Sequence, residues 1–501
     1  MFNPFKLWRN KWRGSYRIGF SNIEHEYEQK ELEIRGFFPE WLNGTLLRNG
    51  PGRFTCDSAW VNNWIDGLGV LHAFSFEKSK VIYTNKYLKT SNYFTVQDTG
   101  KFNYAGFAQD PCKSIFKSFF CLFVPSLAYP PQPPNADVNI SKIAQDFVAL
   151  TEVPLPVEFD PVTLATLGVV HYDDPLPENK AQQTVHPHYD PIKKEHLGFI
   201  THFGRQSYHT LYSLPDDSYT RHELYSIKVK EPSYMHSFAI TEKYAIMTLQ
   251  PFTVNPLKLL LRLNAFIKNF VWKPENKTKF VIVNRHTGHL LDIYETEPFF
   301  VFHHVNAFER DNKIILDIVI YPDTRIIDQL DFDFILAGDV VKTPPTVGRL
   351  ARFTIDKKSK SVSKNYITTE HIELPRINYE KYNGRYYNYI YSAGYKNTVS
   401  PYVFDKLVKI NTETGEVLSW YSDNCYPGEP VFVAEPNSSN LNFKEDAGVV
   451  LSIVLDAQRE KSFLLVLDAQ TFTELSRAEV DYPIPFGIHG MYLDAQHKGT
   501  L

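Results

Sequence analysis

KFVIVNRHTGHLLDIYE, residues 279–295, decides the fold class: a β-branched and aromatic run enters a polar turn containing Gly288 and leaves it in a second apolar run. Such runs suit a pleated, half-buried surface, and a short Gly-bearing turn between two of them is the signature of an antiparallel hairpin. The same grammar recurs in KLVKINTETGEVLSWY (406–421) and SFLLVLDAQTFTELSRAEV (462–480). Further strand-like runs, among them VIYTNKYL, HLGFITHFG, YAIMTLQ, KIILDIVIY, GRLARFTID and GVVLSIVLD, are bounded by Gly, Pro, Asn and Asp. Helical periodicity is scarce and no alternation of strand and helix appears. The sequence therefore predicts an all-β chain, with residues 1–501 forming a single domain.

Composition agrees. Of 501 residues, 43% are apolar and 15% aromatic, enough for a large β-rich core and far from the composition of a disordered chain. The 53 basic and 57 acidic residues give a formal net charge of −4, which provides no basic face for a phosphate backbone; nucleic acid is excluded as a partner. The four cysteines, Cys56, Cys112, Cys121 and Cys425, form neither a disulfide framework nor a metal knuckle, so the expected location is the reducing cytoplasm. The N-terminus, MFNPFKLWRNKWRGSYRIGF, lacks the apolar core and cleavage site of a secretory signal and reads as an arm lying on the protein, the preferred reading, or on a membrane surface. No stretch of about 20 residues is free of charge and proline, so no segment is expected to span a bilayer.

Six polar residues stand in apolar strand or turn contexts: His186, His236, His303, Glu373, Glu429 and His489, at successive spacings of 50, 67, 70, 56 and 60 residues. A propeller blade of four strands needs roughly 40 to 50 residues, so units of 60 to 70 fit blades with insertions, and seven would fill the chain. On that reading one polar side chain per blade leaves the innermost strand for the central axis. Each of the four histidines has bulky apolar neighbours, where an unpaired imidazole would cost free energy; a shared metal would satisfy all four. Imidazoles suit Fe, Zn, Cu or Ni, so the donor set leaves the metal open. Glu152, Glu373 and Glu429 lie in similarly apolar surroundings and could accept the free ring N–H of a ligating histidine, though an ordinary salt bridge fits them equally.

These segments together resemble the carotenoid cleavage oxygenases. The resemblance runs almost from end to end: FPEWLNGTLLRNGPGRF with WIDGLGVLHAF, then TVHPH, SYMHSFAIT, FHHVNAFE, ELPRINYEKYNGR, YPGEPVFV and IPFGIHG, in that order. AQDPCKSIF is similar to the Asp-Pro-Cys-Lys motif of the animal branch, which holds the β-carotene oxygenases and the retinal pigment epithelium isomerohydrolase. The resemblance implies a seven-bladed β-propeller with a loop and helix cap over one face. It also implies Fe(II) on His186, His236, His303 and His489, the pattern Phe-His-x-x-Asn selecting His303 over His304. Glu152, Glu373 and Glu429 then become the carboxylates behind the ligands, and His72 is structural.

The activity so implied is addition of O₂ across one double bond of a carotenoid or apocarotenoid and scission to retinal-like carbonyl products. Two alternatives remain: retinyl ester isomerohydrolysis at the same iron, and a non-catalytic propeller whose histidines hold structural zinc or nothing. A polyene substrate also implies a peripheral membrane surface as partner, with docking expected from CKSIFKSFFCLFVPSLAY (112–129) and from PLKLLLRLNAFIKNFVWK (256–273), read as a basic amphipathic helix. Cys112 could carry a reversible lipid anchor or be a quiet buried thiol.

Overall fold

The structure, a computed structural model, describes residues 14–57, 59–77, 80–109, 134–261, 264–337, 345–396, 403–436 and 444–495. The arm at 1–13, the segment 112–129 with Cys112 and Cys121, and Arg262 lie outside the described residues.

The chain is all-β, built from antiparallel ladders between successive strands. The strand Lys461–Asp468 shows why: KSFLLVLD is buried along nearly its whole length and sits between Gly448–Asp456 and Glu474–Val480, so both of its faces meet apolar neighbours. Its even-numbered residues Leu464 and Val466 pack with Leu46, Phe74 and Val81; its odd-numbered Phe463, Leu465 and Leu467 pack with Tyr391 and Leu407. Alternation thus sends one strand's side chains to two different neighbouring sheets, which a continuous apolar run permits and a half-polar strand does not.

The same face-to-face packing recurs along the chain. Leu71 and Ala73 meet Phe147 and Ala149; Val148 and Leu150 meet Ile200 and Tyr212; Phe199 and Leu211 meet Met247 and Val281. Ile246 and Phe280 then meet Leu316 and Phe353, and Val319 and Leu350 meet Ile372 and Ile390. One strand serves two ladders: Ser361–Arg376 pairs through 361–371 with Arg349–Asp356 and through 372–376 with Tyr389–Gly394. Near the C-terminus, Gly490–Asp494 pairs with Gly44–Arg53 from near the N-terminus, and Glu33–Gly36 adds to Glu474–Val480, tying the two ends of the chain together.

The segment 256–273 is not one amphipathic helix. It forms a five-residue helix Pro256–Leu260, started by the Asn255 side chain accepting the Leu257 N–H, then a separate 3₁₀ turn Ile267–Asn269 and the short strand Val271–Trp272. The break follows from Asn269: its buried amide donates to the carbonyls of Asn264 and Ala265 at 3.1 and 2.8 Å, capturing backbone groups that a continued helix would need. Leu259, Ile267 and Phe270 face the core rather than solvent, leaving Leu257 and Val271 exposed.

Candidate active site

Seven ionisable side chains reach one region from separate ladders. Glu152 follows Asp146–Leu150, His186 lies between Ala181–Gln183 and His188–Asp190, and His236 precedes Ala239–Ile240. His303 lies in Phe300–Arg310, Glu373 in Ser361–Arg376, Glu429 between Cys425–Pro427 and Val431–Ala434, and His489 directly before Gly490–Asp494. Two are presented by irregularities in their strands. Pairing slips on both sides of His304 and again between Glu373 and Arg376, where Leu374 takes a φ of 53°. Bulges of this kind re-aim side chains that a regular ladder would hold on the sheet face.

His186, His236, His303 and His489 offer ligand atoms that all lie within 4.8 Å of one another. His186 Nε2 stands 3.1 Å from His236 Nε2, and His303 Nε2 stands 3.2 Å from His489 Nε2. The rings meet nearly edge-on, with centroids of His186 and His489 4.5 Å apart at 83° and those of His303 and His489 5.0 Å apart at 83°.

Behind three of the rings stands a carboxylate. His236 Nδ1–H donates to Glu152 at 2.7 Å, His303 Nδ1–H to Glu373 at 2.5 Å and His489 Nδ1–H to Glu429 at 2.7 Å. Those bonds fix the tautomers and leave the Nε2 lone pairs bare. The glutamates are anchored in turn. Tyr234 and Gln182 donate to Glu152 at 2.5 and 2.9 Å, Tyr321 donates to Glu373 at 3.0 Å, and the guanidinium groups of Arg48 and Arg376 both pair with Glu429.

The electrostatics favour neutral rings. Burial, reinforced by the other histidines, pushes the His186 imidazole well below its usual range; burial outweighs Glu152 to lower His236, and lowers His489 to about 3 despite Glu429. Burial works in the opposite sense on the carboxyls. Even so His303 holds Glu373 below the usual carboxylate range, and Arg376, His489 and Arg48 hold Glu429 well below it.

The donor set therefore fits a metal ion on chemical grounds. With both Nδ1 protons committed to carboxylates, the facing lone pairs of His303 and His489 have no proton to share across 3.2 Å, and a cation between them converts a repulsion into two bonds. His304 is different: its Nδ1 meets Ser237 at 2.8 Å and its Nε2 meets Thr248 at 2.7 Å, so neither nitrogen is free. His72 bonds Tyr83 at 2.8 Å and is not one of the four clustered rings.

His236, His303 and His489 open onto a cavity of about 320 Å³ whose lining includes many aromatic rings, among them Phe107, Phe203, Tyr234, Phe302 and Tyr395. Leu259, Phe266, Ile326 and Ile335, from the short helices and their flanks, complete part of its wall. His186 does not line it.

A family model described as retinal pigment epithelial membrane protein matches residues 20–494. The chain belongs to this family, the carotenoid oxygenases. It is 34% identical to the β,β-carotene 15,15'-dioxygenase of Gallus gallus, over 96% of this chain and 98% of that one. It is 30% identical to a mitochondrial carotenoid-cleaving dioxygenase of Mustela putorius furo, over 94% and 95%. Among solved structures it is similar to cobalt-substituted apocarotenoid oxygenase of Synechocystis, with a TM-score of 0.84, 26% identity and coverage of 98% and 99%.

In this carotenoid oxygenase every histidine and glutamate singled out in the sequence reaches the cluster. Sequence reasoning missed Arg48, Arg376, Tyr234 and Tyr321. Both arginines lie inside the segments LLRNGPG and ELPRIN, yet an arginine beside a strand has no local sign that its partner is a glutamate 381 or 53 residues away. Glu373→Gln should reduce metal content or turnover by roughly 10 to 100-fold, the usual cost of losing a partner behind a metal ligand. Metal analysis and initial rates check this; unchanged values would remove Glu373 from the site.

Proposed function

We propose that this chain holds Fe(II) on His186, His236, His303 and His489 and cleaves one double bond of a carotenoid or apocarotenoid to two carbonyl products of the retinal type. The observation that carries the proposal is the convergence of four imidazole Nε2 atoms, three of them on rings whose Nδ1 protons are tied to carboxylates and which line the cavity. The names of the relatives support the substrate class.

The architecture we infer is a seven-bladed β-propeller in one domain, with short helices and loops capping the face that holds the cavity. Its support is the chain of face-to-face packings between successive ladders, the double use of Ser361–Arg376, and the pairing of Gly490–Asp494 with Gly44–Arg53. Under this reading the seven site residues come one from each blade.

The iron supplies activation of dioxygen for addition across the chosen double bond. The protein's own work is positional. The aromatic walls of Phe302, Phe203 and Tyr395 match the flat faces of a polyene and exclude water, and the imidazole wall fixes which bond lies against the metal. Glu152, Glu373 and Glu429 hold three rings in orientation and balance part of the metal's charge. No side chain is required as general acid or base.

We further infer that the protein meets a membrane surface peripherally to take up so insoluble a substrate. Leu257, 56% exposed beside Lys258, adjoins the cavity-lining Leu259 and supports this. Among the described residues no helix is long and apolar enough to cross a membrane.

Incubation of the iron-loaded protein with a carotenoid panel under ¹⁸O₂ tests the chemistry. Labelled carbonyl products are expected. Absence of O₂ consumption with every carotenoid and apocarotenoid would refute the proposal, and O₂-independent turnover of a retinyl ester would replace it with isomerohydrolysis.

A further inference from the structure

The cavity wall carries several polar side chains where a hydrocarbon polyene needs only apolar contact. Asp66, Gln109 and Asp137 all line the cavity, 2%, 6% and 1% exposed. Asp66 is committed to the fold: its Oδ2 accepts the Ala108 N–H at 3.0 Å and its backbone carbonyl accepts the Tyr104 hydroxyl at 2.5 Å. The other two are not satisfied. Asp137 Oδ2 and Gln109 Oε1 have no hydrogen-bond partner among the described residues, although both atoms are buried. The Gln109 amide is oriented by its own geometry, because Nε2 must face the Phe102 carbonyl it donates to at 2.7 Å, so the bare atom is the oxygen. Gln182 Oε1 and Asn269 Oδ1 are bare on lining residues as well, but only Asp137 and Gln109 are associated with Asp66; buried polar atoms without partners are rare in native proteins, and this pair points to a ligand that completes it.

Both groups are associated with Asp66. Ala108, next to Gln109, donates to the Asp66 carboxylate, and the Asp66 charge acts on Asp137. Burial, with Asp66 adding to it, pushes the Asp137 carboxyl well above the usual range, which favours the uncharged acid with an O–H to give.

We infer that Asp137 and Gln109 form a subsite for a hydroxyl group carried by the polyene. A hydroxyl accepts from the Asp137 acid and donates to Gln109 Oε1, completing both. A hydrocarbon offers neither bond. An aldehyde or ketone only accepts and leaves Gln109 bare. The substrate class is thereby narrowed to polyenes bearing an alcohol, with Asp137 as the residue that selects them. This rests on the cavity being the polyene site.

The test uses the iron-loaded full chain and two readouts. Binding of all-trans-retinol and of its deoxy hydrocarbon analogue is followed by quenching of tryptophan fluorescence, Trp64 being in the cavity wall. The unmodified protein should prefer the alcohol by about tenfold, the scale of one good buried hydrogen bond. Asp137→Leu should abolish that preference by tightening the hydrocarbon and weakening the alcohol, and Asp137→Asn, which can still donate, should keep part of it. In parallel, kcat/KM for a dihydroxylated and an all-hydrocarbon carotenoid should show the same narrowing in Asp137→Leu. An alcohol-to-hydrocarbon ratio that is the same in the unmodified protein and Asp137→Leu, the result if water alone fills the subsite, overturns the inference. A shifted binding ratio without cleavage of any polyene would uphold the subsite while refuting the cleavage reaction.

Discussion

Replacement of His489 by alanine should strip the proposed metal from the protein and abolish polyene cleavage. His489 is 1% exposed, its Nδ1 is held by Glu429, and its Nε2 lies 3.2 Å from that of His303. Alanine removes one of four neutral donors, and no carboxylate is placed to substitute, since Glu429 is already paired with Arg48 and Arg376. The loss should exceed the roughly 100-fold that marks removal of a partner behind a ligand. His304→Ala is the matched control: it deletes the adjacent imidazole of the doublet, whose two nitrogens are engaged by Ser237 and Thr248, and should leave iron stoichiometry intact. Metal content of both purified variants, with circular dichroism to verify folding, decides the matter. Stoichiometric iron and full turnover in His489→Ala would refute its assignment as a ligand.

Glu429→Ala should destabilise the fold itself by about 3–5 kcal/mol, the usual cost of leaving a buried charge without its partner. Glu429 is 2% exposed and is the counter-charge for Arg48, whose side chain is 4% exposed, as well as for Arg376. Truncation would leave the buried Arg48 guanidinium with the Ile488 carbonyl at 3.1 Å as its remaining acceptor. Urea denaturation of the metal-free forms measures this without interference from lost iron, and a midpoint unchanged from the unmodified protein would contradict the account.

The pH dependence follows in sign. Glu429 is depressed well below its ordinary 4.5 in the fold, so its contribution is fully present above that value and is lost as pH falls through the lower folded one. Glu429→Gln should remove that component of the acid limb while keeping the shape of the side chain.

Much of this was legible in the sequence because strand formation and local burial are local properties. Runs such as KSFLLVLD name a strand buried on both faces, and turns such as Arg285-His286-Thr287-Gly288 name the hairpin between Thr278–Asn284 and Leu290–Thr296. The histidines were visible because an imidazole among Phe, Ile and Met is costly unless bound. The failed element was 256–273, where a plausible helical face was broken by one buried amide, Asn269, whose partners depend on how the chain folds back.

By itself the sequence determined the strand content, the identity of the four imidazoles and, through its motifs, the family. Tertiary structure alone decided that Arg48 and Arg376 share Glu429 and that Asp137 opens onto the cavity. The reason is separation: His186 and His489 stand 4.5 Å apart between ring centroids although most of the chain lies between them. Backbone propensity acts over a few residues, whereas which lone pair meets which proton is set by packing between distant ladders.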